Sequence, residues 1–438
     1  MCRIIRPSIN EKRRLVNAYE MTKEGPIVYE TRQCVENLIT KVNNVNSEFI
    51  PLIPLQDDSV QRPEFVLRNQ FEVDMAIADM FRSDGCEELR IYILAQPVSG
   101  VLIDSLRLLL KRSEVPTNIH HGVRLSSSVD AIENVRNFAK MVPLMFIRNE
   151  KVQYAFSYHY VSELAHDRFS GIYPNVIIRN ERALLLSSDM TSGIILSNHE
   201  QVCLLINDAQ GVMSQMEPLS FFHNSFDELC DFYAQLTDTD FPEVYYLEQQ
   251  PCVEFCNPKS YQAFVKNSQP KVYDLMVRRY DSFKRHLAKG VSYHQFFTRS
   301  GIDKILNDGI HLDIPKRMFD YSDTSKMLPS FLREIIDCAT GNDNFSLHMV
   351  PDNFLDINLS CGFIAVFRGY CVIIAINPLI ENYHSPTVVI HEEGVVNAFS
   401  DYFSSLISKR IFQDEKVQVT SGNEAINYIR QRMESENK

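Results

Sequence analysis

The sequence has no tryptophan and only 15 glycines in 438 residues. Neither a Walker loop nor a Gly-x-Gly-x-x-Gly turn can be drawn from those glycines, which excludes the usual backbone cradles for nucleotide phosphates. Gly-x-Ser-x-Gly is missing too, and with it the nucleophile elbow that motif encodes. Ten cysteines are scattered without framework spacing. The closest pair, Cys252 and Cys256, has neither a second pair nor a histidine at zinc-site distance, so reduced and mostly buried thiols are expected. No apolar run approaches the ~20 residues a bilayer demands. Met1–Pro7 lacks the apolar stretch of a signal peptide. These absences predict a cytoplasmic protein with no membrane partner, no metal and no cofactor.

What is present is globular in character, with 45% hydrophobic and 11% aromatic residues. The length exceeds what a single hydrophobic core sustains, so two or more domains are expected. The net charge of −12 is uneven: residues 1–50 hold eight Lys/Arg against six Asp/Glu, leaving −14 for the remainder. So acidic a surface repels phosphates, and residues 51–438 are not expected to bind nucleic acid by themselves.

The chain also reads as a repeat. Residues 161–236 slide forward by 170 positions onto 331–406 without a gap, with nine of 76 positions identical. Gly171 falls on Gly341, Ile194 on Ile364, Val202 on Val372 and Leu236 on Leu406, and the apolar runs coincide. The predicted organisation is a helical hairpin and linker over 1–63, a first α/β lobe over 64–250 and a second over 251–438. Within 8–47, Gly25-Pro26 separates two helices, the second striped by Val35, Leu38, Ile39 and Val42. The first lobe opens with a helix over Phe65–Phe81, a strand over Leu89–Ala95 and a helix over Val101–Lys111. Short strands follow at Val176–Ile178, Ala183–Leu186, Gly193–Leu196 and Val202–Ile206, and a closing helix carries Phe226, Leu229 and Tyr233. The second lobe repeats a helix at Val272–Leu287, a strand at Tyr293–Thr298 and a helix from Ile302. Ser421 and Glu424 form a capping box for the last helix.

Few constellations carry chemistry. His120-His121 would point to opposite faces of a strand and reads as a surface loop. His391-Glu392-Glu393 lacks the second histidine of a zinc-protease helix, and its carboxylates suit a helix N-terminus. Lys12-Arg13-Arg14 makes residues 8–47 the basic part of the chain, yet no basic stripe follows the second helix, so a dimerisation or coupling role is preferred to DNA reading.

Tyr173-Pro174-Asn175-Val176-Ile177-Ile178, then Ala183–Asp189 and Asn198-His199-Glu200, resembles the core of a phospholipase D-like lobe. Active members carry His-x-Lys followed by Asp on that strand. Here the His position is Asn175 and the Lys position Ile177, and Leu347-His348-Met349 in the second lobe offers no such motif either. Such degenerate lobes resemble the effector-sensing regions of bacterial helix-turn-helix transcription regulators. The resemblance implies two similar, duplicated α/β sandwich lobes that bind an unknown small-molecule effector without catalysis. Homodimerisation through residues 8–47 would fit, with DNA reached only through a domain or partner not evident in this chain. Ser99, Ser188, Asp189 and Ser300, at strand ends facing the crevice, are the expected ligand contacts. The rival readings are a hydrolase or nuclease using His159, His166 and Asp189, and a protein-interaction scaffold.

Overall fold

The computed structural model describes residues 9–44, 64–82, 87–127, 132–147, 149–161, 173–222, 232, 235–236, 238–260, 262, 270–309, 311, 327–356, 362–376, 387–408 and 418–436. The chain divides into two compact units, Asn44–Ser220 and the combination of Met1–Asn43 with Phe221–Lys438. The break falls at residue 220, where the sequence placed it near 250. The reason is that 243–247 is a strand of the second sheet, so the joining segment ends before it.

Two helices start the described chain, α1 (Ile9–Glu24) and α2 (Pro26–Asn44), separated by Gly25 at φ 91°. Helix α2 buries Val35, Leu38, Ile39 and Val42 along one stripe. Outside that stripe, Arg32 forks onto Asp401 (Nε–Oδ2 2.6 Å, Nη2–Oδ1 3.0 Å), which ties α2 to the body of its unit. The linker over 49–63 lies outside the described residues.

The unit Asn44–Ser220 is built on strands β1 (Glu64–Leu67), β2 (Leu89–Leu94), β3 (Thr117–Ser126), β4 (Val152–Val161), β5 (Asn175–Arg179), β6 (Arg182–Leu186), β7 (Gly193–Leu196) and β8 (Glu217–Pro218). Their order is β1-β7-β6-β5-β2-β3-β4-β8. β2, β3 and β4 are parallel; β5 to β7 form an antiparallel meander on the other flank of β2. Helix α3 (Gln70–Met80) starts late because the Asn69 side chain accepts from the Glu72 amide at 3.0 Å, while the Glu72 carboxylate takes the Arg68 amide. Residues 65–67, expected to be helical, are therefore strand, and Phe71 is 71% exposed instead of facing the core. Helix α4 (Gly100–Arg112) buries Leu102, Leu106, Leu109 and Leu110. Helices α5 (Ile132–Met141) and α6 (His199–Met213) complete the unit. The predicted strand Val202–Ile206 lies inside α6: Asn198 caps the helix, Val202 and Ala209 share its buried face, and Leu204 is 65% exposed. A short apolar run fits either period, and here the cap decides.

The second sheet contains β9 (Ser220–Phe222), β10 (Glu243–Leu247), β11 (Ser292–Thr298), β12 (Phe345–Val350), β13 (Gly362–Phe367), β14 (Cys371–Ile376), β15 (Thr387–Ile390) and β16 (Thr420–Ser421). Its order, read from the β9 edge, is β9-β15-β14-β13-β10-β11-β12-β16. Strand for strand this is the order of the first sheet, with a parallel trio β10-β11-β12 and an antiparallel meander β13-β14-β15. The 170-residue shift is not the register that relates them. It lays Val202–Ile206 of α6 over β14, and β7 over β13, whereas strand order pairs β7 with β15. Gly171, Phe226, Leu229 and Tyr233 lie outside the described residues. One face of this sheet packs on α7 (Pro270–Ala288), α8 (Arg299–Asp308) and α9 (Met327–Gly341) through Phe283, Tyr293, Phe297, Ile302, Phe331 and Phe345. Against the other face lies α10 (Glu393–Ile407), capped by the Glu392 side chain on the Val395 amide at 2.7 Å. The last described element is α11 (Asn423–Glu436).

Gly301 shows how tightly strand and helix meet. A Cβ there would land on the carbonyl oxygen of Gln249, a backbone atom that Thr298 also holds. Gly301→Ala is expected to destabilise the unit by about 3 kcal/mol, read as a fall in urea midpoint at unchanged slope.

Candidate functional site

Three of the four expected ligand residues gather at one end of the first sheet. Ser99 caps α4, accepting from the Leu102 amide at 3.3 Å. Ser188 and Asp189 lie in the β6–β7 turn, where the Asp189 carboxylate takes the Ser187 hydroxyl at 2.7 Å and the Thr191 amide at 3.2 Å. Those hydrogen bonds, the Ser187 hydroxyl foremost, lower the pKa of this exposed carboxyl. Asn175 ties the turn to β2: its amide donates to the Ser187 carbonyl at 2.8 Å, and its oxygen accepts from the Gln96 amide at 3.3 Å. Ser300 belongs to the other unit, where its amide donates to Asp352 at 2.9 Å and its hydroxyl meets that of Thr298 at 3.1 Å. All four residues thus serve turns and caps. Of the hydrolase candidates, His159 is on β4, Asp189 is in the exposed turn, and His166 lies outside the described residues. Cys252 and Cys256 are buried, and Cys256 donates to Glu334 at 3.1 Å; burial foremost and then that carboxylate push its thiol pKa far up, against redox use.

A cavity of about 210 Å³ opens instead on the first sheet, lined by Arg90, Tyr92, Asn118 and His120. Alternation along β2 and β3 puts all four on one face. Helix α6 covers only part of that face, packing on Leu94, Ile178 and Ala183, and reaches the cavity through Gln210, which donates to the Tyr92 hydroxyl at 2.8 Å. Tyr92 and His120 are cross-strand partners whose rings stack at 5.4 Å and 12°. Arg90 is paired with Glu88 at 3.0 Å, both largely exposed. His120-His121 is therefore strand and not loop, and its side chains do diverge. His121 is buried on the opposite face, its Nε2 at 2.9 Å from the Ala95 carbonyl and its Nδ1 at 3.2 Å from the Tyr154 hydroxyl. Burial pushes its pKa down to about 4.

The corresponding positions of the second sheet are Glu243, Tyr245, Ser292 and His294, and there the face is closed. Tyr245 stacks on its partner His294 at 5.0 Å and on Phe403 of α10 at 5.7 Å, and is itself fully buried. A hydrogen-bonded chain crosses four strands beneath. Glu243 Oε1 meets His294 Nε2 at 3.1 Å, His294 Nδ1 meets His348 Nε2 at 3.2 Å, and His348 Nδ1 meets Ser421 Oγ at 2.8 Å. The second oxygen of Glu243 takes Arg368 at 2.9 Å. The His294 hydrogen bond first, then Tyr245 and Arg368, hold Glu243 down at about 2 against its burial. Burial first, with His294 beside it, drives His348 down to about 3. For uncharged rings, the proton order that satisfies every link runs from Ser421 to His348, from His348 to His294, and from His294 to the ionised carboxylate. The expected capping box is displaced, because Ser421 ends β16 and Gly422 separates it from α11, which begins at Asn423. Leu347-His348-Met349, compared above with the phospholipase D-like strand, lies on β12; strand order matches β5 with β13.

No family model and no curated protein matches the chain. Among solved structures it is similar to TrmBL2, an archaeal chromatin protein (14% identity, 37% of this chain and 56% of that one, TM-score 0.26). It is similar also to the polyphosphate kinase of Porphyromonas gingivalis (12%, 89% and 60%, 0.24) and the phosphatidylserine synthase of Haemophilus influenzae (9%, 91% and 98%, 0.24). The chain thus spans between half and two thirds of the length of the first two. Likeness at that level carries no activity across. Among the described residues no three His, Cys, Asp or Glu side chains converge as a metal requires, and no helix is long and apolar enough to cross a membrane.

Burial lowers the pKa of His286, and further still that of a deeply buried imidazole in each unit, His121 or His348, below the ordinary 6.5. Unfolding lets that deeply buried imidazole take up a proton at acid pH. Its stabilising contribution is therefore complete above pH 6.5 and shrinks as pH falls toward about 4 for His121 and about 3 for His348. Each adds a slope of about 1.4 kcal/mol per pH unit within its window. Thermal midpoints of both units should fall between pH 7 and pH 5; midpoints that hold or rise would contradict the burial.

Proposed function

We propose that the chain is the effector-sensing part of a bacterial transcription regulator, built from two duplicated phospholipase D-like lobes and working by binding instead of phosphodiester turnover. The observation that carries this reading is Asn175. It occupies the position of the nucleophilic histidine, and both ends of its amide are spent on joining the Ser187 turn to Gln96. Ile177, where a cationic phosphate clamp would stand, is fully buried in the core. The like order of the two sheets and the matched Tyr92–His120 and Tyr245–His294 stacks support duplication.

The effector site is the open face of the first sheet. The Arg90 guanidinium and the Asn118 amide supply donors, Tyr92 and His120 supply rings, and about 210 Å³ admits a small molecule. A planar anion such as an aromatic carboxylate suits that set, because the exposed Glu88–Arg90 pair is screened by solvent and yields to a ligand carboxylate. Residues 8–47 couple the lobes to the output, by homodimerisation or by contact with a DNA-binding partner, and the protein works in the cytoplasm. Thermal melting against a panel of aromatic carboxylates tests the site. At least one should raise the midpoint of the Asn44–Ser220 unit by several degrees, and His120→Ala and Arg90→Ala should each abolish the rise. A shift that survives both substitutions, or none across the panel at millimolar concentration, would remove the sensing face.

A further inference from the structure

The hydrogen-bonded chain of the second sheet does work that the sensing face does not call on. We propose that Ser421 is an activated nucleophile that accepts an acyl group from a reactive carboxylic ester, with His348 as its general base. Ser421 is the last residue of a strand that passes through a single glycine into a helix. Strand β16 ends at Ser421, Gly422 turns the chain at φ 61°, and α11 begins at Asn423. That leaves the hydroxyl half-buried at a sheet edge, 2.8 Å from the Nδ1 of His348. The positive end of a 14-residue helix begins two residues away, where first-turn amides have no intrahelical acceptor. Gly422 lends its own amide to the Leu347 carbonyl at 3.0 Å, so stabilisation of an oxyanion falls to that first turn.

The second histidine solves a problem the first creates. His348 is too deeply buried to hold a positive charge, so alone it would be a feeble base. As the Ser421 oxygen attacks the ester carbonyl, the Oγ proton moves to His348 Nδ1 while the Nε2 proton moves on to His294 Nδ1. His348 ends neutral in its other tautomer, and the imidazolium forms on His294 against the Glu243 carboxylate at 3.1 Å. Cleavage of the ester C–O bond releases an alkoxide. The proton returns along the same two rings to give the alcohol, and the acyl group stays on Ser421.

The test uses the full chain and p-nitrophenyl acetate, following p-nitrophenolate release and mapping acetyl groups by peptide mass. Acetylation should concentrate on Ser421, at one group per chain, and vanish in Ser421→Ala. Ser188, on an exposed turn, sets the unassisted rate. His294→Gln should slow the Ser421 reaction by about 100-fold, and unfolding the native protein in urea should erase the preference even if that variant folds poorly. Ser421 reacting no faster than Ser188 in the native protein, or a folded His294→Gln variant at the native rate, would overturn the assignment.

Discussion

The in-phase pairing of parallel strands is the constraint on which both sites depend. Within the trio β10-β11-β12, residues of like phase lie side by side on one face, so Tyr245 meets His294 and Phe296 meets His348. A slip of one residue in either pairing would turn the histidines into the aromatic core on the other side and break the chain from Glu243 to Ser421. The first sheet obeys the same rule, with Tyr92 beside His120. The core fixes that register: Tyr293, Phe297 and Phe345 are buried on the opposite face and cannot be exchanged for imidazoles without loss of packing.

What differs between the sheets is the cover. In the second, Phe403 of α10 lies on Tyr245 and Phe296, so His348 beneath is buried while Glu243 and His294 keep only a small share of their surface in water. In the first, α6 leans on Leu94, Ile178 and Ala183 and leaves His120 exposed. The same cross-strand Tyr–His pair thus lines a cavity in one unit and a buried proton path in the other. Charge follows the cover. Arg90 tolerates an exposed partner in Glu88, whereas Glu243, half enclosed, has both oxygens occupied by His294 and Arg368.

Local signals were legible in the sequence and long-range ones were not. The strands over 89–94 and 292–298 and the helices over 100–112, 270–288 and 299–308 follow from apolar periodicity. Helix starts set by one side chain were missed where the apolar run began earlier, as at Asn69, or where the run was too short to show its period, as at Val202–Ile206. The two-sheet plan was foreseen, but through a false register, because apolar strands and helices resemble each other over five residues. Ser99 and Ser300 both precede a glycine after a strand, yet they follow β2 and β11, which hold different places in the two strand orders. The chain Glu243–His294–His348–Ser421 lay beyond reach. Its members are 178 positions apart end to end (421 less 243), and one sequence does not state which strands are neighbours.

The direction of the chain deserves a physical reason, since a buried line of polar groups is stable only when every donor finds an acceptor. Glu243, held ionised, can only accept, so in an uncharged His294 the proton that meets it lies on Nε2. Each ring then passes the constraint onward, until the Ser421 hydroxyl must donate inward to His348 and keeps its lone pairs free. Were Glu243 neutral, the order could reverse and the hydroxyl would face outward as a donor. The carboxylate therefore sets the chemistry of a serine it never touches; the His294 hydrogen bond foremost, with Arg368 on the second oxygen, keeps that carboxylate charged.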